Sequence, residues 1–379
     1  MPSYNLDIIY NTTLLCPWDC DICCVDAVHV KPGVHDVIFR SHGFQQVTTI
    51  PREGDNPFEA VLEYRRKHGI GLTLEEKYRM LNNLENHQIK MDFSGGDPLI
   101  IHETLDLIKH ASRLFGKDNI TLTATGKSLA KVPADQLAPY IGELNFTYSY
   151  PSGGHASERP AGYDAANLRQ AVKYSQFGVR TRAETPLTTE NCSPDILEQI
   201  YRELAENEID TQLIMRLFPV GRGANLLSSV PTLQDYKRAI EAERLFEEST
   251  EGGPQVKVQC ALKFLDPSFT NRENPCDAVT HSLGLMEDGT LLASPWAINR
   301  VGEPLSEDWV LGNLVDQSIE EIMEGPRALA FLDNADNNFG HCKIQSYLNG
   351  NNHDADKSGD FSKAFERLDP LYLQHSKER

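Results

Sequence analysis

Four of the eight cysteines crowd into the span from Cys16 to Cys24. The loop Cys16-Pro-Trp-Asp-Cys20-Asp-Ile-Cys23 follows closely on a short apolar run, Leu6 to Tyr10. Three thiolates at CxxxCxxC spacing on so short a loop can reach three corners of one iron–sulfur cubane, leaving the fourth iron without a protein ligand. An iron left open in this way can be chelated by a ligand carrying an amine and a carboxylate. Zinc is the competing reading. A structural zinc site takes four ligands, usually as two separated pairs, and Cys24 would have to complete the set from beside Cys23. The remaining Cys192, Cys260, Cys276 and Cys342 are dispersed, which is not how a secreted disulfide framework is laid out.

At 379 residues with 40% hydrophobic content, the chain can bury one large core, or a large and a small one. Asp and Glu outnumber Lys and Arg 55 to 36, a formal charge of −19 spread along the whole length. Such a surface repels phosphate backbones and anionic lipid, so neither nucleic acid nor membrane is an expected partner. No segment nears about 18 consecutive apolar residues, and Met-Pro-Ser-Tyr-Asn has no basic region leading into an apolar one. The expected compartment is the reducing cytoplasm, which an exposed cluster needs.

Over the first two thirds, short apolar strands alternate with amphipathic helices, the pattern of a parallel α/β sheet. Strands are expected at Leu6 to Tyr10, Ile89 to Phe93, Ile120 to Ala124, Leu144 to Tyr148, Val179 to Glu184, Leu213 to Phe218 and Val256 to Cys260. Helices are expected at Leu74 to Asn86, Ile101 to Phe115, Ala165 to Phe177 and Ser193 to Asn207. Thr73 and Glu76 have capping-box spacing, and Pro194 after Ser193 suits a first helical turn. Residues 25–71, with His29, His35, His42 and His68, form too long a connection for an ordinary loop and are expected to be a lid or small insert. The histidines are too irregularly spaced for a metal set and read as solvated loop residues. A helix from Thr232 to Glu248 leads to Gly252-Gly253-Pro254, a plausible hinge, and Asp288-Gly289 between apolar runs signals a hairpin. The tail from Asp333 is rich in Asn, Asp, Ser and Lys.

A CxxxCxxC loop just after a first strand resembles the signature of the radical S-adenosylmethionine superfamily. Further segments resemble that family too: Ser94-Gly95-Gly96-Asp97-Pro98 its GGEP motif, Thr123-Ala-Thr125-Gly126 its Thr-Asn-Gly, and Arg216-Leu-Phe-Pro219-Val-Gly221-Arg222-Gly223 its Pro-x-Gly-Arg stretch. Thr147-Tyr-Ser149, followed by His155, Arg159 and Gly162, is similar to the fourth-strand segment of the branch with SPASM or twitch extensions, although Tyr150 stands where an aspartate is common. The resemblance covers residues 5 to 225. It implies a partial (β/α)6 TIM-like barrel of parallel strands over residues 1–225, a helical linker over 226–254, a small α+β extension over 255–332 and a tail over 333–379. It also implies a [4Fe–4S] cluster on Cys16, Cys20 and Cys23, and S-adenosylmethionine held by Ile22, Gly95, Gly96, Asp97, Thr125, Ser149 and Arg159. In that reading Ile22 packs on the adenine, Asp97 and the glycine backbone receive the methionine amine, and Ser149 approaches the carboxylate or ribose.

The implied activity is reductive cleavage of the cofactor, driven by an external flavodoxin or ferredoxin type donor, and hydrogen abstraction from a carbon. In the extension, Cys276 precedes the hairpin, but Ser294 stands where the branch has its next cysteine. Cys260, Cys276 and Cys342 remain available for an auxiliary cluster; a metal-free extension is the expectation. Cys192, Cys276 or Cys342 is also a candidate hydrogen donor to a product radical. Only about fifteen residues precede the cysteine loop, too few for a peptide-recognition domain, so a small polar metabolite (sugar, nucleoside or amino-acid derivative) is the expected substrate. A ribosomal peptide, matured or epimerised, is the alternative, and a non-catalytic iron–sulfur or zinc protein a second one.

Overall fold

Alternation of apolar and polar residues along short segments calls for strands whose two faces meet different surroundings. The computed structural model describes residues 3–41, 46–269, 274–334, 340–351 and 368–378. In chain order its strands are β1 (Asn5–Thr13), β2 (Leu15–Cys16), β3 (Val28–Pro32), β4 (Asp36–Ser41), β5 (Gln46–Pro51), β6 (Gln88–Gly95), β7 (Ile120–Thr123), β8 (Glu143–Thr147), β9 (Arg180–Leu187), β10 (Thr211–Arg216), β11 (Gln255–Val258), β12 (Leu283–Leu285), β13 (Thr290–Leu292) and β14 (Val310–Asn313). The large sheet runs β11-β10-β9-β8-β7-β6-β1-β12-β13-β14. It is parallel from β11 through β12 and antiparallel beyond, so the α/β barrel architecture expected from the sequence is present.

On β6 the alternation is direct. Ile89, Met91 and Phe93 are buried, whereas Asp92 and Ser94 line a cavity inside the curved sheet. Leu107, Ile108 and Ala111 of the helix His102–Phe115 belong to the same core as these strands; full burial of each large aliphatic side chain contributes roughly 1.5–3 kcal/mol. The other barrel helices are Leu74–Asn82, Tyr163–Ser175, Pro194–Glu206 and Leu233–Ser249. Thr73 makes the expected capping box with Glu76, and Thr232 makes another with Asp235. The helix expected to run to Asn86 stops at Asn82.

Residues 25–71, expected as a lid or small insert, carry a small sheet of their own: β3 to β5 pair on from β2 in a four-stranded sheet, with the helix Pro57–Lys67 packed on it through Phe58 and Val61. Gly252-Gly253 is not a hinge, since the Tyr201 hydroxyl donates to the Pro254 carbonyl at 3.1 Å and β11 then rejoins the barrel sheet beside β10. The segment after it is likewise continuous with the barrel, because β12 pairs in parallel with β1. The described part of the tail is helical, Lys343–Asn351 and Pro370–Glu378; the rest of that stretch lies outside the described residues. No helix among the described residues is long and apolar enough to cross a membrane.

Helix Leu233–Ser249 buries Glu243 completely. Its Oε1 accepts from Gln212 Nε2 at 3.0 Å, and burial pushes its carboxyl up to about 8 from an ordinary 4.5. The folded state therefore holds a proton that the unfolded state releases above about pH 4.5. The contribution of Glu243 to stability is full below that pH and is lost as pH rises through about 8. A Glu243→Gln variant is expected to show a smaller loss of thermal midpoint between pH 5 and 8.5 than the parent chain, measured by calorimetry across that range.

Candidate cofactor and active site

Because β1 ends at Thr13 and β2 resumes at Leu15, the cysteine loop springs from the C-terminal end of the barrel. Its stem is fixed by the segment after β6: Gly96 N donates to Thr13 O at 2.7 Å and Asp97 N to Leu15 O at 2.9 Å. Both glycines are needed for that approach. A Cβ on Gly95, whose φ is +124°, would lie 2.3 Å from Thr13 O, and one on Gly96 would lie 2.3 Å from Leu15 O. The bare backbone thus seats the cysteine loop itself. From the far side the segment after β10 clamps the same loop. Gly221, at φ +55°, leaves no room for a Cβ against Cys24. The Arg222 guanidinium donates to Asp19, Cys20 O, Asp26 and Ala27 O.

One cavity of about 190 Å³ is lined by Cys16, Cys20, Cys23 and Cys24 together with Ile22, Gly95, Gly96, Thr125 and Arg159. Burial drives the Cys16 thiol well above its ordinary range, and the neighbouring Cys23 and Cys20 add to the effect. Cys20 is pushed up to about 11 by burial, against the pull of Arg159. Neutral thiols of this kind become ligands only on losing their protons to a metal. Ala27 N donates to Cys23 Sγ at 3.3 Å. Among the described residues no three His, Cys, Asp or Glu side chains are drawn together as ligands of a single metal ion. What the three thiols share is a walled cavity, which fits a cluster held at three corners and open at the fourth. His35 and His68 are exposed, His29 is half-buried on β3, and His42 lies outside the described residues.

Arg159 stacks on Tyr163, 4.7 Å from the ring centroid, and its Nε donates to Ser149 Oγ at 3.2 Å. Ser149 is 3% exposed and steadies Arg159 from behind the lining. Asp97 is placed differently from the expectation that it meets the methionine amine. It is fully buried, its carboxylate accepting from Thr125 N at 3.2 Å, from Thr125 Oγ1 at 2.6 Å and from Ser128 Oγ. Burial raises it to about 6. The short side chain is used to hold the Thr125 turn, and Thr125, which lines the cavity, in turn accepts from Trp18 Nε1 at 3.0 Å.

Solved structures share this arrangement of strands. The chain superposes on anSMEcpe with bound AdoMet and Cp18Cys peptide at TM-score 0.61 and 14% identity, covering 100% of this chain and 96% of that one. It superposes on Streptococcus suis SuiB bound to the precursor peptide SuiA at TM-score 0.59 and 14% identity, covering 86% of this chain and 65% of that one. The chain has the fold of anSMEcpe and SuiB. It spans about two thirds of the SuiB chain. SuiB bound to S-adenosylmethionine matches at TM-score 0.58 and 13% identity, over 86% of this chain and 64% of that one. No family model matches the chain, and no curated protein is similar to it in sequence.

The three late cysteines Cys260, Cys276 and Cys342 stand on distant segments, and among the described residues they make no group that could hold a single metal ion. Each is pushed upward chiefly by burial; Cys342 and Cys276 add to the rise at Cys260, and Cys276 to that at Cys342. Cys192 is separate, near Asp235 and Arg238. Of the candidate hydrogen donors Cys192, Cys276 and Cys342, none lines the cysteine-loop cavity; Cys260 lines the adjoining one. Ser294, in place of a cysteine, accepts weakly from Trp296 N at 3.4 Å. Trp296 stacks on Phe218 at 4.6 Å and lines both cavities.

Asp92, Glu184, Trp18, Trp296 and Arg222 were not singled out as site residues from sequence. Lys90 and Arg182 precede Asp92 and Glu184 at the same alternate positions of β6 and β9, so the strand pattern gave no signal that set these two carboxylates apart.

Proposed function

We propose that this chain is a radical S-adenosylmethionine enzyme, with Cys16, Cys20 and Cys23 as the ligands of a [4Fe–4S] cluster and Ile22, Gly95, Gly96, Thr125 and Arg159 around the cofactor. The observation that carries this reading is the single cavity shared by the three thiols and the two loop glycines. Cys16, Cys20 and Cys23 would hold the cluster, and Ile22, Gly95, Gly96, Thr125 and Arg159 would surround S-adenosylmethionine, which together would supply radical chemistry able to take hydrogen from a substrate carbon. The protein's part is placement and enclosure. Gly95 and Gly96 fix the loop stem, Arg159 presents a guanidinium suited to a carboxylate, and Trp296, stacked on Phe218, stands in the wall of both cavities.

A small polar metabolite such as a sugar, nucleoside or amino-acid derivative suits the polar deep end of the cavity, where Asp92, Thr123, Thr147 and Glu184 stand. A peptide substrate is supported by SuiB and anSMEcpe, each solved with a peptide. The electron comes from an external donor of flavodoxin or ferredoxin type, in a reducing cytoplasm. Cys260, Cys276 and Cys342 remain candidates for an auxiliary cluster in the extension, with a metal-free extension the expectation.

Iron counting after anaerobic reconstitution tests the assignment. The parent chain is expected to bind at least one cluster, about four irons. Replacing Cys16, Cys20 and Cys23 by alanine removes that cluster, and about four irons left in the variant place a second cluster on the late cysteines. Unchanged iron content in the triple variant contradicts the assignment.

A further inference from the structure

Alternation along β1 turns Ile9 and Asn11 toward the barrel interior, where both line the cysteine-loop cavity. Asn11 is 5% exposed, and its side-chain amide makes no hydrogen bond with any described residue. A buried carboxamide without a partner is a costly state, so a group from outside the chain is expected there. Asn11 and Val25 also line a second cavity, of about 320 Å³. It reaches the surface at Ile70, which is 45% exposed. Leu14, Val25, Ile70, Met286, Ile298 and Pro304 make its apolar wall. The three carboxylates of the same wall already have donors: Glu287 has Arg65 and Leu14 N, Asp288 has Thr290 N at 3.0 Å, and Glu303 has Asn299 Nδ2 at 3.4 Å. Among the described residues of this wall, Asn11 is the polar side chain left without one.

A ligand for this place needs an apolar group adjoining a hydrogen-bond donor and acceptor. The carboxamide of Asn11 presents N–H donors and a carbonyl acceptor side by side, and a second amide presents the matching pair. An apolar amino-acid side chain flanked by peptide units has both features. A sugar or other polyol can pair with Asn11, but its remaining hydroxyls would lie against the apolar wall without partners.

We propose that Asn11 and the cavity beside it form a subsite for an apolar residue of an amide-linked, peptide-like substrate, with Asn11 pairing to the peptide unit next to that residue. The proposal rests on the enzyme reading and deepens it, choosing a peptide over a sugar or nucleoside. A chain seated in this subsite passes Asn11 on its way into the cysteine-loop cavity, because Asn11 stands in the walls of both.

The probe is N-acetyl-L-leucine N-methylamide, one apolar side chain between two peptide units. Cluster-loaded protein with S-adenosylmethionine present is titrated by calorimetry with this probe and, separately, with methyl glucoside. The expected result is saturable binding of the leucine amide alone, with an affinity about tenfold weaker, about 1.4 kcal/mol, in Asn11→Ala. The Asn11 side chain has no hydrogen bond to lose, so this variant keeps its fold. Ile70→Glu, a change at the exposed rim, is expected to weaken the probe likewise. No binding of the leucine amide by the parent, equal binding of the two probes, or equal affinity in parent and Asn11→Ala overturns the proposal. An Asn11→Ala variant that loses affinity for S-adenosylmethionine but not for the probe also overturns it, since Asn11 would then belong to the cofactor. Cofactor cleavage by the parent is measured separately, so a failure of the enzyme reading shows there and not in the titration.

Discussion

A Gly96→Ala variant is expected to lose cofactor binding by at least about tenfold, or about 1.4 kcal/mol, and to load iron poorly. The added Cβ would fall 2.3 Å from Leu15 O and 2.6 Å from Leu14 C. Both are backbone atoms, so no side chain can turn away to relieve the clash. The chain that must move is the one leading directly into Cys16, and it would move against the bond from Asp97 N to Leu15 O. Gly116→Ala is the control. That glycine also has a positive φ, +84°, but has nothing within 4 Å of its Cβ position, so its cost is confined to backbone strain of roughly 1–3 kcal/mol. Iron content and equilibrium binding of S-adenosylmethionine should separate the two variants, with Gly116→Ala retaining both.

The second large effect concerns stability. Arg216, at the end of β10, forms a two-pronged ion pair with Asp369, at 2.5 and 2.9 Å; the residues are 6% and 0% exposed. Removing one partner leaves a charge buried and unpaired, which costs about 3–5 kcal/mol. Asp369→Ala is therefore expected to lower the free energy of unfolding by about that amount in urea titrations. Replacing both partners by apolar residues, Arg216→Met with Asp369→Leu, should recover most of the loss, because neither charge then needs solvation. The pair also ties the described tail to the barrel, since Arg216 closes β10 and Asp369 directly precedes the helix Pro370–Glu378. Faster proteolysis of the tail in Asp369→Ala is the companion result.

Much of this was legible in the sequence because it depends on local pattern. Alternating apolar residues placed the barrel strands, and Thr73 announced its helix through capping-box spacing with Glu76. The cysteine loop and Gly95-Gly96 were found for the same reason: their chemistry is written in adjacent residues. What the sequence hid were contacts between residues far apart along the chain. The stem contact of Gly96 with Leu15 and the clamp of Arg222 on Asp19 and Asp26 join segments about 80 and 200 residues apart. Asp97 was assigned to the cofactor by motif, but its carboxylate turns to Thr125 and Ser128, a choice made by the neighbouring strand. The insert hid its fold because its sheet is built on a two-residue strand, Leu15–Cys16, that looks like loop.

The most direct test of the account is anaerobic reduction of the reconstituted protein with dithionite in the presence of S-adenosylmethionine. The account predicts 5′-deoxyadenosine and methionine in equal amounts, with neither formed by Cys20→Ala. A protein that carries its full complement of iron and binds the cofactor, yet yields no 5′-deoxyadenosine under those conditions, would contradict the account and leave a binding protein in its place.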